Sequence, residues 1–200
     1  MSHAPSSSRE DELRDLWASS YDGWVNVPRL DDEDEDALIF VDADDAAPTT
    51  YFEPLALDVD DELLARRPPP PAIARRTTTF AVTGHNPMGE RASAEANAAA
   101  NIALERDIRS LHGVRAYWRS FGFSKEWRED GFVCAFEDGV DGRATMVALA
   151  VKYAQGAIYA YEKCDRSERA LRRRTIPAAM SEAVDADVLI AVCEKPGFDF

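Results

Sequence analysis

The sequence predicts an α+β fold of the ferredoxin-like kind, a split β-α-β unit with an extra C-terminal strand and an acidic, partly disordered N-terminal extension. Three observations carry this expectation. Over residues 78–162 the apolar period switches between two and 3.6 in the order strand, helix, strand, strand, helix, strand. Four prolines, Pro68 to Pro71, set that pattern apart from what precedes it. The net charge of -14 also lies before the prolines, since residues 1–67 hold 19 acids and 5 bases while 68–200 balance.

Residues 1–36 read as mostly disordered, with Leu13, Leu16 and Trp17 spaced for one helical turn and Trp24 and Val25 as anchors on the core. Leu38 to Val41 and Tyr51 to Leu57 are short apolar pieces, expected as peripheral strands or straps. The tetraproline forces extended polyproline backbone and excludes helix, which divides the chain into an extension with linker, 1–71, and an α+β domain, 72–200.

Within that domain, Thr78 to Thr83 alternates as a strand and stops at Gly84-His85-Asn86-Pro87. Ser93 is the N-cap of a helix running to about Leu111, closed by His112-Gly113. Arg115 to Phe123 and Phe132 to Glu137 form a hairpin. Asp141 caps a second helix through Tyr153 with Gly156 as its stop, and Ala157 to Glu162 is the fourth strand. Ser167 to Arg174 reads as a basic helix with Arg166, Arg169 and Arg173 on one face, and Asp187 to Cys193 as an added strand.

Composition narrows the function classes. No apolar run approaches the roughly 20 residues of a membrane span, and the first residues lack the pattern of a secretory signal, so a soluble cytoplasmic protein with no membrane partner is expected. Cys134, Cys164 and Cys193 lie about thirty residues apart with no Cys/His pair at ligand spacing. They read as reduced thiols, with no metal and no cofactor. A balanced domain charge argues against nucleic acid. The acidic run 31–36 is a solvated segment or a docking element for a basic protein partner.

Topology then points to one rim. The expected fold gathers the Gly84 to Pro87 turn, the hairpin stretch 124–131 and Gln155-Gly156 at a single edge of the sheet. Asn97 and Asn101 continue the stripe of Leu104, Ile108 and Leu111 toward that edge. A buried amide without partners costs about 1–3 kcal/mol, so both need hydrogen bonds, either to the 84–90 loop or to a ligand. Trp127 and Glu129 lie two apart and so point the same way in extended chain. An aromatic plate beside a carboxylate suits a flat, donor-bearing molecule. His85 reads as a turn residue or a general base.

The stretch FAVTGHNPMGERASAEANAAANIALERDI, then Trp127-x-Glu129 with Phe132 following, then YAQGAIY, resembles the domain-of-unknown-function family 3293 over about 78–162. Its marks fall on Asn86, Pro87, Asn97, Trp127, Glu129 and Gln155. The chain departs from the family at Gly84 and His85, where an aromatic is common, and in its long acidic N-terminal segment. The resemblance implies the fold and the site, and brings no activity.

The leading expectation is a small binding or regulatory module for a polar or anionic small molecule, seated on Asn86, Asn97, Asn101, Trp127, Glu129 and Gln155. The alternatives are a protein-interaction domain working through the acidic segment, or an enzyme of unknown class in which Glu129 or His85 moves a proton.

Overall fold

The computed structural model describes residues 8–29, 39–40 and 46–198. In chain order its strands are β1 (Tyr21–Val25), β2 (Ile39–Phe40), β3 (Thr49–Leu55), β4 (Thr79–Thr83), β5 (Val114–Phe123), β6 (Arg128–Phe136), β7 (Ala157–Lys163), β8 (Ala170–Pro177) and β9 (Ala186–Cys193). The helices are α1 (Arg9–Ala18), α2 (Asp61–Ala65), α3 (Ala72–Arg76), α4 (Ala94–Ser110) and α5 (Gly142–Lys152).

Eight of the strands close a ring in the order β1-β3-β9-β8-β7-β4-β6-β5 and back to β1, every neighbour antiparallel. The short β2 joins outside the ring, parallel to Ala116 and Tyr117 of β5. The protein is therefore a closed antiparallel β-barrel carrying few helices, and the expectation of a ferredoxin-like α+β sheet is overturned.

The physical reason lies at the sheet edges. Strands β7, β4, β6 and β5 alone would leave unpaired N–H and C=O groups along β5 and β7. β1 pairs with the first of these edges and β8 with the second. β3 and β9 complete the circuit.

Three local expectations change with it. Residues 170–177 form a strand where a basic helix was expected, because Leu171, Arg173 and Thr175 alternate inward against Arg172 and Arg174. Tyr51 to Leu57, expected as a peripheral strand or strap, supplies most of a full strand of the barrel wall. The stretch expected to be mostly disordered contains α1, opened by a capping box between Ser8 and Asp11, and β1, whose Trp24 is buried in the core as its expected anchoring role requires. The barrel thus takes strands from both sides of the tetraproline. The acidic run 31–36 lies outside the described residues.

Alternation sorts the side chains into two cores. Inside the barrel, Trp24 meets Trp118 and Tyr161 edge-on, with ring centroids 5.4 and 4.9 Å away, and Phe52, Val133 and Ile190 fill the space around them. Ile73 and Ala74 of α3 join this interior at the end where β4 begins. Outside, Leu104 and Ile108 of α4 and Met146 and Leu149 of α5 cover Phe80, Val82, Phe132 and Cys134. Each such side chain contributes roughly 1.5–3 kcal/mol by leaving water.

Arg166 and Arg169 tie the preceding segment to the barrel. Arg166 donates to the Leu57 and Val59 carbonyls and pairs with Asp61, and Arg169 donates to the Arg67 carbonyl. Among the described residues no helix is long and apolar enough to cross a membrane. No described group of three or more His, Cys, Asp or Glu side chains has metal-holding geometry.

Candidate functional site

The ring order brings three loops to one mouth of the barrel, where β4 and β5 end and β6 and β7 begin. The first loop leaves β4 at Gly84, where a Cβ would come within 2.9 Å of the Ala100 backbone in α4. Only glycine lets the loop pass so close to the helix. Asn86 then turns into the left-handed region at φ 47°, which asparagine tolerates better than most residues.

Asn97 and Asn101 hold this loop. Asn97 Oδ1 accepts from the Asn86 N–H at 2.9 Å and its Nδ2 donates to Asn86 Oδ1 at 3.1 Å. Asn101 Oδ1 accepts from the Gly84 N–H at 2.8 Å and its Nδ2 donates to the Asp130 carbonyl at 2.8 Å. Both amides therefore meet their hydrogen-bonding needs within the protein. Asn86, so fixed, points its own Nδ2 at Glu129 Oε1, 2.7 Å away. Gln155, 5% exposed, donates to the His85 carbonyl at 2.9 Å and ties the loop after α5 to the loop after β4.

These residues surround a cavity of about 80 Å³ in the barrel mouth, lined among others by Asn86, Ser120, Trp127, Glu129, Gln155 and Tyr159. Burial pushes the Glu129 carboxyl above the ordinary glutamate range, and the Asn86 hydrogen bond opposes this only in part. The Trp127 Nε1–H is buried without a hydrogen-bond partner. Four of the six residues named from sequence thus line one chamber. Asn97 and Asn101 stand behind it and line an outer groove of about 910 Å³. His85 lines that groove and not the chamber, and burial lowers its imidazole pKa, with Asp130 opposing and Arg128 adding to the effect.

The chamber is also lined by groups that sequence reasoning missed, Asp22, Tyr159 and Tyr161. Arg173 of β8, 1% exposed, stands behind them and pairs with Asp22 of β1 at 2.6 Å. Its remaining donors meet the carbonyls of Trp17, Ala18 and Ser20 at 2.8, 2.9 and 3.0 Å, just where α1 ends. That helix carries no basic residue in its own last turn, so Arg173 supplies the charge its C-terminus favours.

Tyr161 donates to Asp22 at 3.1 Å, and Tyr159 lies under the guanidinium, 4.6 Å from ring centroid to Arg173 Cζ. Burial lifts the Asp22 carboxyl while Arg173 and Tyr161 pull it down, and Arg173 keeps its proton. Burial likewise pushes Tyr159 up to about 12. The inward alternation of Leu171, Arg173 and Thr175, and the matching pair Tyr159 and Tyr161, were the available signals.

A closed β-barrel with a small chamber of mixed polar and apolar lining beside α1 is the class these features define. Residues 82–158 match the family DUF3293, described as a protein of unknown function, and the chain resembles that family over this segment. The matched segment contains Asn86, Asn97, Asn101, Trp127, Glu129 and Gln155, and stops short of both Asp22 and Arg173. No curated protein and no solved structure matches the chain.

Proposed function

We propose that the barrel mouth is a binding site for a small, neutral, planar molecule that carries an amide-like donor beside an acceptor. The observation that carries this reading is the pairing of two unspent groups in one chamber. Glu129 Oε1 is held by Asn86 while no described hydrogen bond engages Oε2, and the buried Trp127 Nε1–H has no acceptor. A ligand C=O to the indole would satisfy a donor whose burial without a partner costs about 1–3 kcal/mol, and a ligand N–H would meet the second oxygen of the carboxylate.

Size and charge narrow the class. A single water needs roughly 10–15 Å³ of such space and a benzene-sized guest fits about 150 Å³, so a chamber of about 80 Å³ suits a molecule of few heavy atoms. Of the polar and anionic ligands expected from sequence, an anion would face the Glu129 carboxylate, which favours the neutral kind. Acetamide and 2-pyrrolidinone are suitable probes, with acetate as the charged control. Titration should move the Trp127 indole N–H resonance for the two amides and leave it in place for acetate. Movement of the indole resonance that is unchanged in Glu129→Gln, or that acetate alone produces, would remove the basis for this reading.

One observation favours a second reading. A carboxyl raised by burial beside a cavity is suited to hold and pass a proton, which makes Glu129 a general acid–base candidate. Turnover of a bound amide that disappears in Glu129→Gln while binding persists would separate catalysis from binding.

A further inference from the structure

Two further side chains in the chamber wall are held in place and still keep a polar atom unengaged. Gln155 and Ser120 line the chamber and not the outer groove, and they are 5% and 7% exposed. The Gln155 Nε2 donates to the carbonyl of His85 at 2.9 Å and to that of Tyr153 at 3.3 Å. Two acceptors on that side fix which end of the amide is nitrogen, so the oxygen is the end left over. No described hydrogen bond engages Gln155 Oε1 or the Ser120 hydroxyl.

The backbone fixes Gln155 where it stands. Just past α5, Ala154 sits in the left-handed region at φ 51°, which alanine adopts only at a cost, and the Gln155 N–H returns to the Ala150 carbonyl at 2.8 Å. The Ala154 carbonyl accepts from the Met88 N–H at 2.7 Å, and Met88 is itself left-handed at φ 53°. A main-chain bond and a side-chain bond therefore pin the loop after α5 to the loop after β4. Glu129 is held by Asn86 of that second loop and Gln155 by its neighbour His85, so consecutive residues position both acceptors.

We infer that the chamber selects a primary carboxamide, and that Gln155 is the residue that reads its second N–H. The inference rests on the binding reading above and narrows it. Two acceptors are on offer, Glu129 Oε2 and Gln155 Oε1, with one donor, the Trp127 Nε1–H, and a Ser120 hydroxyl that serves on either side. A head group with two N–H and one C=O answers that set. An amidinium is all donor and leaves the buried indole N–H without an acceptor, whereas a tertiary amide or an ester brings no N–H to either oxygen.

A secondary amide has a single N–H. The carboxylate takes it in preference, because hydrogen bonds to charged groups are the stronger, and the loss falls on Gln155. Ala81, Phe121 and Ile158 make part of the remaining wall apolar, which suits a short alkyl group on the carbonyl carbon.

Propanamide, N-methylacetamide and butanone have equal heavy-atom counts and carry two, one and no N–H, so they separate hydrogen bonding from size. Each is titrated against the unaltered protein at about pH 8, where an ordinary glutamate is ionised, and followed by the Trp127 indole N–H resonance. Propanamide should bind about fivefold tighter than N-methylacetamide, and N-methylacetamide about fivefold tighter than butanone. In Gln155→Met the first of these steps should shrink to within about twofold while the second persists. Should that variant fail to fold, the Gln155 side-chain NH2 resonances of the unaltered chain decide, shifting with propanamide and staying in place with butanone.

Propanamide no tighter than N-methylacetamide, with both tighter than butanone, overturns the primary-amide assignment and leaves the binding reading standing. A first step that survives Gln155→Met, or Gln155 resonances that ignore propanamide, overturns Gln155 as the reader. Equal affinity for all three, or no movement of the indole by any of them, brings down the binding reading and this inference with it.

Discussion

Arg173 Nη1 lies 2.6 Å from Asp22 Oδ2, joining a strand near the C-terminal end of the barrel ladder to one that precedes the tetraproline. Both side chains are buried, at 1% and 2% exposure. Removing one partner leaves an uncompensated charge in the interior, a loss of about 3–5 kcal/mol. Asp22→Asn and Arg173→Met should each destabilise by that amount in urea denaturation, and the double substitution by clearly less than their sum. Additive losses would mean that the two groups are not energetically coupled.

Asn97 is a positioning residue for Asn86, and its removal should be felt first as stability. Asn97→Ala strips the acceptor from the Asn86 N–H and the donor from Asn86 Oδ1, at a cost of about 1–3 kcal/mol. Trp127→Phe, by contrast, deletes a buried N–H that has no partner, and the penalty so relieved offsets the lost ring packing, so the denaturation midpoint should not fall. The same substitution should weaken amide binding at least fivefold. The two variants together separate building the site from using it.

The buried Glu129 carboxyl gives stability a pH dependence of known sign. Because burial raises its folded pKa, the native state holds this proton more tightly than the unfolded chain. That contribution is fully present below the ordinary glutamate value and is lost as pH rises through the raised one. Glu129→Gln removes it. Melting temperatures of the two proteins should lie closest at about pH 4 and diverge toward about pH 7, with the variant the more stable at the higher pH. A gap that widens on acidification would reverse the assignment.

Cys193 is half-buried, and burial, with Glu53 nearby adding to the effect and Arg67 opposing it, pushes its thiol up to about 11. Only the thiolate reacts readily. Iodoacetamide at neutral pH should therefore modify it slowly, with a rate that climbs steeply up to about pH 10, whereas Cys134 should stay unmodified in the native protein throughout.

Local structure was largely legible, and closure was not. Ser93 and Asp141 cap their helices as their sequence positions imply, and the strands at 79–83, 114–123 and 157–163 fall within a few residues of where alternation puts them. Those signals are short-range. Ring closure depends on pairings such as Asp22 with Gly122 and Glu53 with Ala191, which leave no trace in the local pattern. The arginine-rich stretch misled because charge suggests solvent, while Arg173 reaches an acid 151 positions away. That Asn86, Trp127, Glu129 and Gln155 come together was legible because turn residues mark strand ends whichever sheet those strands join.

The ladder between β3 and β9 carries a consequence for how the chain is made. Leu55 cannot find Leu189 until nearly all of the intervening polypeptide has been synthesised. β1 and β3 can pair with each other early, but the outer edge of β3 must wait on the ribosome with its ladder groups unpaired, and such non-local pairing is slow. Cellular yield should therefore depend on chaperone supply during translation more than the finished barrel, with no free edge left in its ring, would suggest.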